Sequence, residues 1–87
     1  MRVALFDAQR RNCWICGREM ALRGDPNHPH FATFDELTPQ SAGGKRHRSN
    51  QLLAHRGCNG ARGNAPLTSA QLARVQQIRC EIAGVVR

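Results

Sequence analysis

Apolar positions recur at helical spacing over one long stretch of this chain. Leu72, Val75, Ile78 and Ile82 fall three or four residues apart, which predicts a helix over about residues 68–83. Thr68 with Gln71 three positions on is a T-x-x-Q capping box, in which each side chain satisfies an amide that the first turn leaves without a partner. Gly84 is the expected stop, and Cys80 falls beside the apolar stripe, where a small thiol belongs. At the other end VALFDAQRR, residues 3–11, has helix-forming composition, with Val3, Leu5 and Phe6 as the expected buried contacts. Between these lie two short runs of strand character. HFATF, residues 30–34, is aromatic and β-branched, with Phe31 and Thr33 on one face and Ala32 and Phe34 on the other; residues 51–54 form the second run. Gly24, Pro26 and Pro29 make residues 17–30 a loop. A second long loop spans residues 38–49 with Pro39, Gly43-Gly44 and the basic run Lys45-Arg46-His47-Arg48. After Cys58, NGARGN starts a short helix that Gly63-Asn64 and Pro66 end. The order describes one small α+β unit over residues 1–87 with a helix at each end and no internal repeat.

Composition changes this picture in two ways. At 87 residues the chain builds only a modest core, so a structural metal is the economical staple, worth on the order of 10 kcal/mol in a domain that packing alone does not hold. Thirteen Lys and Arg against six Asp and Glu give a formal charge of +7, which favours a polyanionic partner, with nucleic acid first. The N-terminal apolar stretch is too short for a secretory core or a membrane span, so the expected setting is cytoplasmic, without a membrane partner. Four cysteines then point to metal or free thiols before disulfides.

Cys13-Trp-Ile-Cys16-Gly places two thiolates on one tight turn. A redox pair uses the same spacing but expects a thioredoxin-like context that is absent here. His55-Arg-Gly-Cys58 is a second pair at the same separation, and Cys13, Cys16, His55 and Cys58 together make a Cys3His set for a structural zinc with no open coordination position. Cys80 is the competing fourth donor; its place in a helical stripe favours His55. Between the two pairs, FDELTP holds the acidic dipeptide Asp35-Glu36, readable as a solvated surface turn or as a metal-binding mouth.

The order C-x-x-C, Asp35-Glu36, Pro39, Gly43-Gly44, Asn50, then H-x-x-C-Asn59 with Arg62-Gly63 resembles the HNH endonucleases, the ββα-metal nucleases, in their zinc-knuckle form, over about residues 10–64. The resemblance implies a zinc-stabilised ββα-metal fold with flanking helices. It also implies metal-dependent hydrolysis of DNA phosphodiester bonds by a Mg2+, Mn2+ or similar ion that Asp35 and Asn59 bind, with Asn50 bracing the loop and orienting the base. The family's general base is a histidine at the position of Glu36, which makes Glu36 a substitute base or an extra metal ligand. Small proteins of this kind occur in bacteria and their phages, some beside DNA-packaging machinery, which implies a protein partner in DNA processing.

The exchange at position 36 has a calculable consequence. Imidazole titrates near 6.5 and a glutamate near about 4.3, a base weaker by about two units, which costs roughly tenfold in rate at a Brønsted slope of about one half. A carboxylate facing a phosphodiester also repels the developing charge unless a cation screens it. The alternative is therefore an HNH-fold DNA-binding or partner-docking module that has lost its base. Lys45, Arg46, Arg48, Arg56 and Arg62 are the expected phosphate contacts, giving sequence-tolerant, salt-sensitive binding.

Overall fold

The computed structural model describes residues 2–38, 40–45 and 50–85. Pro39 and His47, expected in the long loop, and Arg46 and Arg48, expected on DNA phosphates, lie outside the described residues. The elements run α1 (Arg2–Ala8), β1 (Ala32–Glu36), a 3-10 turn (Gln40–Ala42), β2 (Gln51–His55), α2 (Arg56–Arg62) and α3 (Ser69–Val85). β1 and β2 form a two-stranded antiparallel sheet with Ala32 opposite His55, Phe34 opposite Leu53 and Glu36 opposite Gln51. The result is a small α+β structure in which the two strands are followed directly by a helix.

α1 supplies Phe6 to the core and leaves Leu5 half-buried, but Val3 is 59 % exposed and is not the buried contact expected of it. The helix is one turn shorter than its composition predicts because it ends in a Schellman turn. The Arg11 amide donates to the Phe6 carbonyl and the Arg10 amide to that of Asp7, both at 2.9 Å. Arg10 and Arg11 take left-handed φ values of 55° and 66°. That conformation disfavours side chains bearing a Cβ by roughly 1–2 kcal/mol per residue.

The turn delivers Gln9 to the free edge of β2. Its amide oxygen accepts from the Leu53 amide at 2.7 Å, and its amide nitrogen donates to the Leu53 carbonyl at 2.9 Å and to the Asn12 carbonyl at 3.0 Å. Trp14 adds its own backbone amide to the same Leu53 carbonyl at 3.2 Å. A two-stranded sheet this small would otherwise bury an unpaired edge.

β1 lies two residues later than the aromatic run predicts. Phe31 is held outside the strand in an isolated bridge with Ala21, while Asp35 and Glu36 lie inside it. Asp35 is disfavoured in strands by propensity, and the reason it is tolerated is a set of partners described below. α2 begins three residues before the predicted start, at Arg56. No side chain caps it; the Arg56 and Gly57 amides donate to the Phe31 and Pro29 carbonyls at 2.8 and 2.9 Å, so backbone oxygens do the capping. Gly57 eases that approach, since a Cβ there would stand a tight 3.3 Å from the Pro29 side chain. Asn59 consequently sits in the middle of α2 rather than at its cap.

The capping box of α3 is formed as the sequence predicts: Gln71 donates its amide to the Thr68 hydroxyl at 3.1 Å and accepts from the Thr68 amide at 3.0 Å. Its stripe is only partly used. Val75 is buried and Ile78 and Ile82 are half-buried against the core, whereas Leu72 is 48 % exposed and Cys80 is exposed. The helix also runs on through Gly84. The core itself gathers Phe6, Trp14, Met20, Ala32, Leu37, Leu52, Leu53, Ala54 and Val75 around Cys13. Among the described residues no helix is long and apolar enough to cross a membrane.

Candidate metal centre

Residues 13–17 form a tight turn in which the Gly17 amide donates to the Cys13 carbonyl at 2.9 Å and Gly17 adopts φ 78°. The fold turns amides toward the sulfurs. Ile15 donates to Cys13 Sγ at 3.3 Å and Arg18 to Cys16 Sγ at 3.5 Å, as does the His55 amide to Cys13 Sγ at 3.3 Å. Each such bond favours the thiolate. The end of β2 and the first turn of α2 bring the second pair of donors to the same point. His55 Nδ1 lies 3.2 Å from Cys16 Sγ and 3.7 Å from Cys58 Sγ, and the donor atoms of Cys13, Cys16, His55 and Cys58 all lie within 4.8 Å of one another.

This donor set fits a zinc ion. Tetrahedral coordination at about 2.3 Å from each sulfur asks for donors about 3.8 Å apart, close to the spacing present. The imidazole is oriented for it, because Nε2 lies 2.8 Å from the Glu19 carbonyl. A carbonyl only accepts, so Nε2 carries the proton and Nδ1 keeps its lone pair toward the thiols. Cys80 is not a member of the cluster, and the four donors leave no open position for chemistry at the ion.

The thiols differ in their hold on protons. Burial works against ionising Cys16, yet the Arg18 amide and hydrogen bonds from Cys13, His55 and Cys58 outweigh it and bring its pKa down to about 7. Cys58 is pushed up to about 12 by burial and by the neighbouring Cys13 and Cys16 sulfurs. One thiolate forms readily and the next is resisted; a divalent cation reverses that resistance.

A second site adjoins the first through Trp14, the residue inside the C-x-x-C turn. Trp14 is 0 % exposed, and its indole nitrogen donates to Asp35 Oδ2 at 2.8 Å. Arg62, at the end of α2, closes on the same carboxylate in a fork, Nη2 to Oδ1 at 2.7 Å and Nε to Oδ2 at 3.1 Å. It also donates to the Glu36 and Ala65 carbonyls at 2.8 and 2.7 Å and lies 5.9 Å from the Trp14 ring centre. Asp35 is 2 % exposed and the Arg62 side chain 5 %, so this is a buried ion pair and not a solvated turn.

The remaining residues singled out in the sequence fall around this pair. Asn59 donates from Nδ2 to the Phe34 carbonyl at 3.2 Å, which ties α2 to β1 one residue from Asp35. Asn50 closes the loop after β1. It accepts from the Thr38 amide at 2.8 Å and donates to the Thr38 and Lys45 carbonyls, both at 2.9 Å. Glu36 is half-buried at the end of β1, and strand alternation sends it to the opposite face from Asp35. One ion shared by both carboxylates, an expectation of the sequence, is thereby disfavoured. Lys45 and Arg56 are exposed, whereas Arg62 is turned inward.

For a divalent ion between Asp35 and Asn59 the donors do not fit as they stand. Three N–H groups occupy the Asp35 carboxylate, its charge is already balanced by a guanidinium, and Asn59 spends its amide nitrogen on the strand. Sequence reasoning missed Gln9, Trp14 and the inward role of Arg62. The available signal was a tryptophan between two metal-binding cysteines, an unusual place for the largest apolar side chain. No family model and no curated protein matches this chain.

Proposed function

We propose that this chain is a DNA endonuclease domain of the HNH kind, hydrolysing phosphodiester bonds; the divalent ion that this reading needs has its carboxylate free only when Arg62 releases Asp35. The observation that carries the reading is the Cys3His cluster and what it fixes in place. By pinning the 13–17 turn, the end of β2 and the start of α2 to one point, it sets Asn59 against the strand that bears Asp35 and Glu36. The formal charge of +7, with Lys45 and Arg56 exposed, supports a nucleic-acid substrate gripped through its backbone. In this reading the zinc is structural, Asn50 holds the loop after β1, and Glu36 is the group placed to take a proton from water.

A second reading, a DNA-binding or partner-docking module without cleavage, is favoured by one observation: Arg62 already stands on Asp35. The two part in a plasmid-nicking assay with Mg2+, Mn2+ or Ni2+, with and without EDTA. Nicking that depends on the ion supports the endonuclease; binding without cutting under every ion selects the module. Glu36→His then reports on the base: activity gained from nothing marks a disabled nuclease, and activity lost marks glutamate as part of a working site. Asp35→Ala is a poor control because it strands a buried guanidinium, so Asp35→Asn, checked for zinc content and helical circular dichroism, is the variant to use.

A further inference from the structure

Away from Asp35, Asn50 and Asn59, a groove of about 640 Å³ runs between the metal-binding turn and α3. Its walls include Arg10, Asn12 and the zinc-ligand candidate Cys13 on one side and Ala70, Arg74 and Ile78 of α3 on the other. Neither Asp35, Glu36, Asn50, Asn59 nor Arg62 lines it. We propose that this groove is a second contact surface for DNA, in which Arg10 and Arg74 bind backbone phosphates. The assignment rests on the nucleic-acid reading above and extends it to a face that none of the sequence motifs marked.

Three observations carry it. Arg10 holds the left-handed position of the Schellman turn at φ 55°, where glycine sits without steric cost, so the cation is kept there against a backbone preference. Such strain is a pointer to function when it is observed at a lined cleft. Arg74 lies over the turn, its guanidinium 2.6 Å from where a Cβ on Gly17 would stand. Finally, both arginines are exposed, and among the described residues neither has an acidic partner. The alanines at 70 and 73 leave room beside them. Glu81 also lines the groove, but it stands seven residues beyond Arg74, about 10 Å along the helix, which at physiological salt is about a screening length.

The test is equilibrium binding of the zinc-loaded chain to a short DNA duplex across a salt series, without added divalent ion so that no cutting intervenes. The Arg10→Gly/Arg74→Ala double variant is expected to bind about tenfold or more weakly near 0.1 M salt. Its plot of log K against log salt should be shallower by about 2, since each lost phosphate contact removes about 0.9. Arg10→Gly alone should melt no lower than the parent, because glycine suits that backbone, so a loss of binding there reports the side chain and not the fold. Unchanged affinity and slope in the double variant, with the parent binding DNA through Lys45 and Arg56, would overturn the groove and leave the endonuclease reading standing. A parent chain that binds no DNA overturns both. Polyglutamate competing as well as DNA of equal charge would overturn the assignment in favour of an acidic protein.

Discussion

The buried pair of Asp35 and Arg62 governs what single substitutions near the site will do. Two charges taken out of water are tolerated because the fork and the Trp14 indole satisfy them, and removing one partner leaves the other uncompensated. Arg62→Met is therefore expected to cost about 3–5 kcal/mol, whereas Arg62→Met with Asp35→Leu should recover most of that loss. Urea unfolding of the two variants checks it; equal destabilisation in both would mean that packing, not charge, sets the cost. The thiols give a second expectation, whose sign does not depend on the folded state of the metal-free chain. Zinc needs its sulfur donors without their protons, and burial beside Cys13 and Cys16 pushes Cys58 up, so acid competes with the ion and zinc retention should fall as pH drops from 8 to 5. Competition with a chromophoric chelator across that range reads it, and an affinity flat with pH would contradict thiolate ligation. Residue identity made the zinc ligands legible in the sequence, since each pair is local. The Asp35 partners were not, because Trp14 and Arg62 lie 21 and 27 residues away and nothing in a dipeptide says which cation will reach it.

At the level of elements, the parts read correctly are those whose signals are local. The Thr68–Gln71 box is a four-residue pattern and it forms. The register of β1 is set by other things: the Ala21–Phe31 bridge removes Phe31 from the strand, and the Arg62–Trp14 cradle lets Asp35 into it. The start of α2 is likewise set from outside, by carbonyls of residues 29 and 31, and an asparagine that suits a helix cap falls mid-helix instead. Gln9 shows the same dependence on distant partners. It reads as part of a helical run, yet it serves as a one-residue strand for Leu53, 44 positions on. Gln9→Ala should leave the buried Leu53 amide without its partner and cost about 1–3 kcal/mol. The lesion is specific, so amide exchange should quicken at Leu53 before it does elsewhere in β2. Uniform acceleration through both strands would mean that Gln9 supports the whole sheet and not its edge.

The whole molecule is held by long-range ties more than by apolar volume. Its buried apolar set is small, the sheet has two strands, and α3 reaches the core mainly through Val75. The Cys3His cluster brings the 13–17 turn, the end of β2 and the start of α2 to one point, and Cys13 is itself a member of the core. Metal binding and folding should therefore be one event, with the ion contributing on the order of 10 kcal/mol, as much as a chain of this length retains as net stability. Chelation is expected to abolish the cooperative melt and most of the helical circular dichroism, and zinc should restore both. His55→Ala should behave as the chelated protein does even in excess zinc, since it removes a ligand and the Glu19 tie together. Cys80→Ser should leave zinc content and melting unchanged, because its thiol is exposed and outside the cluster. A metal-free chain that still melts cooperatively near the temperature of the zinc-loaded one would show that Trp14, Leu52, Leu53 and their neighbours suffice. The cluster would then be a dispensable addition, and the placement of Asn59 beside β1 would need another cause.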